Sequence, residues 1–151
     1  MTPKSAERIA LFAGSFDPFT IGHHSVVERA LPLFDRIIIA IGENSGKSGS
    51  STVEERIAHI TGIYTGNDKV KVMAYSGLTV DLCHREGAGW LLRGVRTVAD
   101  FEYERNLADI NREISGIETV LLFTLPEQAC VSSSVVRELA RYGHDVSKFL
   151  P

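Results

Sequence analysis

The chain has 151 residues and a net charge of −3, with 44% hydrophobic and 23% charged residues. These values are ordinary for a globular protein, and the length predicts one domain over 1–151 with a core of its own. The acidic balance argues against nucleic acid as a partner, because binding a phosphate backbone calls for a broad basic surface. Cys83 and Cys130 lack metal-ligand spacing, and no apolar run reaches about 18 residues, so we expect a cytoplasmic protein without membrane contact.

An apolar run near the N-terminus leads into a stretch rich in special residues. The apolar residues 9–13 predict a buried strand. The bend Gly14-Ser15-Phe16-Asp17-Pro18 follows it, and apolar residues at helical spacing begin after Thr20-x-Gly22-His23. A strand, a glycine-containing bend and a helix start form half of a nucleotide-binding βαβ unit. Unpaired N–H groups at the helix start favour an anion, and Gly14 and Gly22 let backbone approach it. The alternative is an ordinary turn with His23 at the surface.

The rest of the chain alternates apolar runs with stretches of helical spacing. Continuous apolar runs predict further strands over 36–42, 70–74, 90–94 and 118–125, and such runs are typical of parallel strands covered on both faces. Helices are predicted from a capping box at 52–55, over 79–85, over 98–114 and after the serines at 132–134. This alternation predicts an α/β fold: a single-domain, Rossmann-like, doubly wound sheet of five parallel strands with helices on both faces.

Polar side chains and glycines follow the carboxyl end of each predicted strand. They are, in strand order, Ser15 and His23, then Lys47, then Ser76, Gly77 and Thr79, then Arg93, Gly94 and Arg96, and finally Ser132, Ser133 and Ser134. Ligands of doubly wound sheets bind past these ends, where the strand order reverses. Hydroxyls, cations and a histidine at one edge predict a site for phosphate groups.

Each of these groups also has a purely structural interpretation. Lys47 lies in a stretch that resembles a P-loop. Only three residues separate Gly42 from Gly46, whereas a P-loop has four between its glycines, so a P-loop is disfavoured. Lys47 then either binds phosphate as a clamp or is a solvated side chain. Arg93 and Arg96 form an anion-binding fork or pair with Asp100 and Glu104. The three serines bind phosphate or only cap a helix. No GxGxxG motif follows a strand, which argues against a dinucleotide oxidoreductase.

Four blocks of the sequence resemble one enzyme family. The stretch from Gly14 to His23 is similar to the (T/H)xGH signature of the α/β-phosphodiesterase nucleotidyltransferases. The block 93–104 resembles bacterial phosphopantetheine adenylyltransferases more closely, as do Val131-Ser132-Ser133-Ser134 with Arg137 and the segment 145–151. The resemblance covers essentially the whole chain.

The resemblance implies an activity and a set of partners. The family transfers the adenylyl group of ATP to 4′-phosphopantetheine, which gives dephospho-coenzyme A and pyrophosphate in coenzyme A synthesis. It works with Mg²⁺, without a covalent enzyme intermediate, and as a homohexamer. Two alternatives stay open: another small-molecule nucleotidyltransferase of the same superfamily, and a non-catalytic protein that binds ATP or coenzyme A.

The resemblance also assigns roles to individual residues. The catalytic groups are His23, Lys47 and Arg93. The acceptor is contacted by Ser15, Lys47, Thr79 and Arg93. ATP is contacted by Ser15, Phe16, His23, Gly94, Val95, Arg96, Glu104, Gln128, Ala129, Cys130, Val131, Ser132, Ser133 and Ser134. The sequence departs from the family at Ser15, where threonine is usual, and at Gln128-Ala129-Cys130, which lacks the aromatic residue often found ahead of the serines.

Overall fold

The structure, a computed structural model, describes residues 6–43 and 51–151. Five strands are present: β1 (Ile9–Gly14), β2 (Arg36–Gly42), β3 (Val70–Tyr75), β4 (Trp90–Val95) and β5 (Glu118–Phe123). They alternate with five α-helices: α1 (Ile21–Ala30), α2 (Val53–Ile63), α3 (Thr79–Glu86), α4 (Val98–Ser115) and α5 (Ser133–Arg141). All strand pairs are parallel, in the order β3-β2-β1-β4-β5. The predicted doubly wound α/β sheet is therefore confirmed.

Both faces of the central strands are buried, which explains their continuous apolar sequences. In β2, Ile37, Ile39 and Ile41 pack with Val27 of α1 and other apolar residues in one core cluster, while Ile38 and Ala40 pack in a second cluster that includes residues of α3. Burying an isoleucine side chain contributes about 1.5–3 kcal/mol, so two such layers suffice to fix the register of the strand. The two clusters correspond to the two helical layers of the fold.

The strand order reverses between β1 and β4. From β1 the chain moves to β2 and β3 on one side, whereas from β4 it moves to β5 on the other side. These two strands are hydrogen-bonded neighbours, and Ala10, Leu11 and Phe12 pair with Trp90, Leu91 and Leu92. Their carboxyl ends, at Gly14 and at Arg93 to Val95, therefore lie side by side where ligands bind in such sheets.

Helices α4 and α5 pack differently from what their apolar spacing suggests. The residues whose spacing indicates α4 include Tyr103 and Ile110, and these are 64% and 59% exposed. The buried residue of α4 is instead Glu104, which turns toward β4. In α5 the buried residue is Val136, whereas Tyr142, at the C-cap of the helix, is exposed. The helical period of α4 is confirmed, but its inward position is taken by a charged residue, and Tyr103 and Ile110 lie on the exposed side. No helix in the described residues is long and apolar enough to cross a membrane.

Candidate functional site

A cavity of about 410 Å³ opens at the carboxyl edge of the sheet, where β1 and β4 end. Its walls come from β1, α1, β4, α4 and the start of α5. The predicted site residues that line it are Ser15, Phe16, His23, Arg93, Gly94, Arg96, Glu104, Val131, Ser132, Ser133 and Ser134. Residues from four separate stretches of the sequence thus meet around one cavity. The structure thus brings together the predicted groups that follow β1, β4 and β5, at the point where the strand order reverses.

His23 is fixed by the N-cap of α1. The hydroxyl of Thr20 accepts a hydrogen bond from the His23 backbone N–H at 3.4 Å, and the Thr20 backbone N–H donates to Nδ1 of His23 at 3.0 Å. This reciprocal arrangement is a capping box in which histidine takes the place usually held by glutamate or glutamine. Because Nδ1 accepts a backbone hydrogen bond, the proton of the neutral imidazole is assigned to Nε2.

The surroundings of His23 keep its imidazole neutral. The ring stacks on Phe19 with centroids 5.4 Å apart and meets Phe16 edge to face at 5.1 Å. Desolvation by burial, assisted by the positive charges of Arg93 and Arg96, lowers the pKa of His23 to about 4. At neutral pH this histidine therefore offers an uncharged Nε2–H donor rather than a proton to transfer.

The bend after β1 is shaped by Phe16 and Gly14. Phe16 has a left-handed backbone conformation with φ of 48°, and its ring packs edge to face against Phe12 and Phe19 as well as His23. A Cβ on Gly14 would lie only 3.0 Å from the Phe16 ring. The missing Cβ of Gly14 thus makes room for the aromatic ring of Phe16, whereas the sequence suggested that it makes room for a ligand.

The loop of residues 15–18 is bound by side chains of α2 and α5 and by Ser51, which precedes the N-cap residue of α2. Arg56 donates to the Ser15 carbonyl at 2.7 Å, Arg137 to the Asp17 carbonyl at 2.6 Å, and Ser133 to the Pro18 carbonyl at 2.7 Å. The Ser51 hydroxyl also lies 2.6 Å from a carboxylate oxygen of Asp17. No sequence motif marks Arg56 or Ser51, because side chains that bind the backbone or a side chain of a distant loop have no characteristic spacing.

Arg93 and Glu104 form an ion pair beside the cavity. Nε of Arg93 lies 3.0 Å and 2.9 Å from the two carboxylate oxygens of Glu104, and one Nη lies 2.7 Å from Oε1. The other Nη donates to the Ala13 carbonyl at 2.6 Å. Burial disfavours the charged guanidinium, but the hydrogen bonds and negative charge of Glu104 outweigh that effect and raise the pKa of Arg93 above its usual value. The side chain of Glu104 is only 7% exposed.

The structural interpretations of several predicted binding groups are also correct. Arg96 pairs with Asp100 at 3.5 Å, and Ser132 caps α5 by accepting from the Val135 backbone N–H. These contacts do not exclude ligand binding, because the same residues line the cavity and Arg93 is 28% exposed. The first turns of α1 and α5 also present backbone N–H groups, the donors that bind phosphate at helix starts.

Three described stretches with predicted site residues do not line this cavity. Thr79 begins α3, with its hydroxyl 2.8 Å from that of Tyr75. Val95 ends β4 in a buried position, and Gln128, Ala129 and Cys130 lie in and after a 3₁₀ turn at Pro126–Gln128. Lys47 lies outside the described residues, as does most of the stretch that resembles a P-loop. The roles of all these residues stay predictions.

Comparison with known proteins places the chain among nucleotidyltransferases. The model of the cytidylyltransferase-like family matches residues 11–139. A Bacteroides thetaiotaomicron protein named phosphopantetheine adenylyltransferase is 54% identical over 144 residues, which is 95% of each chain. A Porphyromonas gingivalis protein of the same name is 54% identical over 145 residues, covering 96% of this chain and 95% of its own.

Solved structures share the fold at low sequence identity. A bifunctional NMN adenylyltransferase/ADP ribose pyrophosphatase from Francisella tularensis, complexed with AMP and a manganese ion, superposes with a TM-score of 0.71 at 14% identity. That comparison covers 96% of this chain and 44% of the other. A lipopolysaccharide core biosynthesis protein from Thermoplasma volcanium has a TM-score of 0.57 at 16% identity, covering 80% of this chain and 98% of its own.

Proposed function

This chain belongs to the cytidylyltransferase-like family and, within it, to the phosphopantetheine adenylyltransferases, and we infer from this membership that it transfers the adenylyl group of ATP to 4′-phosphopantetheine. The products are dephospho-coenzyme A and pyrophosphate, in the synthesis of coenzyme A. The observation that carries the inference is the 54% identity to a relative of that name over 95% of both chains. The cavity at the strand-order reversal supports it, because it collects groups that bind phosphate.

The proposed reaction is a direct in-line displacement. A phosphate oxygen of 4′-phosphopantetheine attacks the α-phosphorus of ATP, a new P–O bond forms, and the bond to the β-phosphate oxygen breaks. The bonding electrons leave with pyrophosphate, so no enzyme group is modified. Catalysis then consists of positioning the two substrates and stabilising charge on the phosphoryl group in transfer.

We propose that His23 stabilises the transferred phosphoryl group as a neutral donor. Its Nδ1 is occupied by the Thr20 backbone N–H, and the pKa near 4 leaves a proton on Nε2 alone at neutral pH. Such a donor binds a phosphoryl oxygen without losing its proton during the reaction. Backbone N–H groups at the starts of α1 and α5 supplement it at the triphosphate.

The acceptor phosphate is proposed to bind Ser15, Arg93 and Lys47. Ser15 lies at the end of β1 and Arg93 at the end of the neighbouring β4, so both side chains line the same cavity. The ion pair with Glu104 fixes one edge of the Arg93 guanidinium, while each Nη retains a further N–H group. A guanidinium held in this way is pre-oriented for an anion. The roles of Thr79 and Glu104 toward the substrates remain proposals from the resemblance.

We propose that Mg²⁺ accompanies ATP. The described residues contain no cluster of three or more histidine, cysteine, aspartate or glutamate side chains that would hold a metal ion. Mg²⁺ in phosphoryl-transfer sites is bound chiefly by phosphate oxygens and water, with one or two carboxylates. This donor set suits a nucleotide-borne ion, whose chemistry would be to neutralise charge on the departing pyrophosphate.

We further propose that the chain works in the cytoplasm as a homo-oligomer, a hexamer by the family resemblance, without nucleic acid or membrane. The free cysteines Cys83 and Cys130 support a reducing compartment. Exposed apolar side chains on α4 support assembly with further copies, because a surface of this kind is unfavourable in water.

The proposed activity is tested by measuring pyrophosphate release from ATP with a panel of acceptors. We expect release with 4′-phosphopantetheine and formation of dephospho-coenzyme A in equal amount. Release only with nicotinamide mononucleotide or a phosphorylated alcohol would contradict the assignment and favour another nucleotidyltransferase. Binding of ATP without release for any acceptor would favour the non-catalytic alternative.

A further inference from the structure

Arg56 connects the start of α2 to the loop that carries Ser15. Its guanidinium donates to the Ser15 carbonyl at 2.7 Å through one Nη and to the Ser51 carbonyl at 3.4 Å through the other. Its Nε donates to the Thr52 carbonyl at 3.3 Å. One side chain therefore binds three backbone carbonyls from two separate stretches of the chain.

Arg56 does not line the candidate site. It lines a second cavity of about 350 Å³ on the other side of the loop, together with Phe16, Asp17 and Pro18. The loop of residues 15–18 thus separates the two cavities. Any effect of Arg56 on the reaction must pass through the backbone of this loop, because the side chain does not reach the cavity where the substrates are proposed to bind.

The carbonyl that Arg56 binds sets the orientation of Ser15. The Ser15–Phe16 peptide is followed by the left-handed conformation of Phe16, which non-glycine residues seldom adopt. Conformations of this kind persist where surrounding contacts fix them. The carbonyls of Asp17 and Pro18 are bound by residues of α5, whereas that of Ser15 is bound from the α2 side. The two ends of the loop therefore have separate supports.

Ser51, which precedes the N-cap residue of α2, also contacts this loop. Its carbonyl is bound by Arg56, and its hydroxyl lies 2.6 Å from the Asp17 carboxylate. Arg56 thus joins the Ser15 loop to the residues that precede α2.

We propose that Arg56 is a positioning residue for the acceptor phosphate, acting by fixing the Ser15 carbonyl relative to the start of α2. The proposal rests on the proposed function, because it assigns the acceptor phosphate to Ser15. Loss of Arg56 is expected to weaken use of the acceptor more than use of ATP, because ATP has further proposed phosphate contacts at the starts of α1 and α5.

The test compares the KM values of both substrates for the wild type, Arg56→Ala and Arg56→Lys. For Arg56→Ala we expect the KM for 4′-phosphopantetheine to rise about tenfold or more, as for the loss of one charge-assisted hydrogen bond. The KM for ATP should rise by a smaller factor, about threefold or less, because Ser15 is only one of the proposed ATP contacts. Lysine supplies one charged donor instead of a fork, so Arg56→Lys should recover part of the loss.

Lys69→Ala is the matched control, because Lys69 also donates from a charged side chain to a backbone carbonyl, that of Leu31, at 3.1 Å. This contact lies at the amino end of β3, at the opposite edge of the sheet, and both KM values should be unchanged. Equal rises in both KM values for Arg56→Ala, or no rise in either, would overturn the proposal. If Arg56→Ala does not fold, an unchanged acceptor KM in Arg56→Lys would overturn it as well.

If the proposed function is wrong, the experiment gives a different result from a failure of the Arg56 proposal. In that case the wild type itself releases no pyrophosphate with 4′-phosphopantetheine. The comparison is then made with whichever acceptor the panel identifies, and the same split between the acceptor and ATP is expected if Arg56 positions the loop.

Discussion

The imidazole of His23 receives a hydrogen bond from the backbone N–H of Thr20, which leaves Nε2 as its protonated nitrogen. Phe16 and Phe19 pack against the ring and fix its orientation. With a pKa lowered to about 4, the side chain does not titrate near neutral pH. A change of pH between about 6 and 8 therefore leaves the hydrogen-bonding character of His23 unchanged.

At the residue scale, we predict that His23→Ala lowers turnover by about 10²–10³-fold, by analogy with removing one oxyanion donor. The fold should survive, because Thr20 can still cap α1 through its hydroxyl. Pyrophosphate release at saturating substrates measures the effect, and thermal melting checks the fold. His24→Ala is the control, since His24 contacts the Tyr64 hydroxyl at 2.9 Å and does not line the cavity. Near-normal turnover of His23→Ala would refute the role assigned to this imidazole.

At the scale of elements, the Arg93–Glu104 pair joins β4 to α4 beside the cavity. Glu104 occupies the inward position of α4, and its carboxylate binds Arg93 through three short contacts. Breaking a pair of this kind leaves a partly buried charge without its partner. The helix therefore depends on an ion pair where an apolar side chain would be usual.

We expect Glu104→Gln to destabilise the protein by about 1–3 kcal/mol, because the amide keeps one acceptor for Arg93 but loses the charge. For a chain of this size the melting temperature should fall by several degrees. Asp109→Asn is the control on the same helix: Asp109 pairs with Arg112 at 3.0 Å, but both side chains are more than half exposed. Such a pair contributes about 0–1 kcal/mol. Equal melting temperatures for the two variants would contradict the structural role of Glu104.

The sequence predicts the positions of the strands and helices better than it predicts which face of each helix is buried. Strand boundaries agree to within two residues, because buried parallel strands such as β2 are marked by continuous apolar runs. The convergence of His23, Arg93 and the serines was predictable, because the carboxyl ends of parallel strands meet at one edge of the sheet and ligands bind there. The support from Arg56 was not predictable, since a side chain that binds carbonyls has no sequence pattern. Nor was the inward position of Glu104, because apolar spacing alone does not say which face of α4 meets the sheet.

At the scale of the whole molecule, exposed apolar side chains lie on the β5 and α4 side of the sheet. On α4 they are Val98, Phe101, Tyr103, Ile110 and Ile114, and Phe123 ends the edge strand β5. Tyr103, Ile110 and Ile114 share one face of α4 by helical spacing, and exposed apolar side chains grouped in this way favour association in water. They support the proposed self-association independently of the resemblance to known enzymes.

We predict that Ile110→Asp lowers the molar mass measured by size-exclusion chromatography with light scattering, because a carboxylate replaces a 59% exposed isoleucine on the associating surface. Its thermal melting should show that the subunit still folds. Leu33→Asp is the control, as Leu33 is similarly exposed but lies in the 3₁₀ turn Leu31–Leu33. A wild-type mass equal to one subunit would rule out the proposed assembly under those conditions.

Gly94 lies where β4 approaches α1 closely beside the cavity. A Cβ at this position would lie 3.1 Å from a methyl group of Val26, which is one turn along α1 from His23. Adding a single carbon would therefore require Val26 to shift by a few tenths of an ångström. The spacing between the helix that carries His23 and the strand that carries Arg93 is thus sensitive to a change that alters neither side chain.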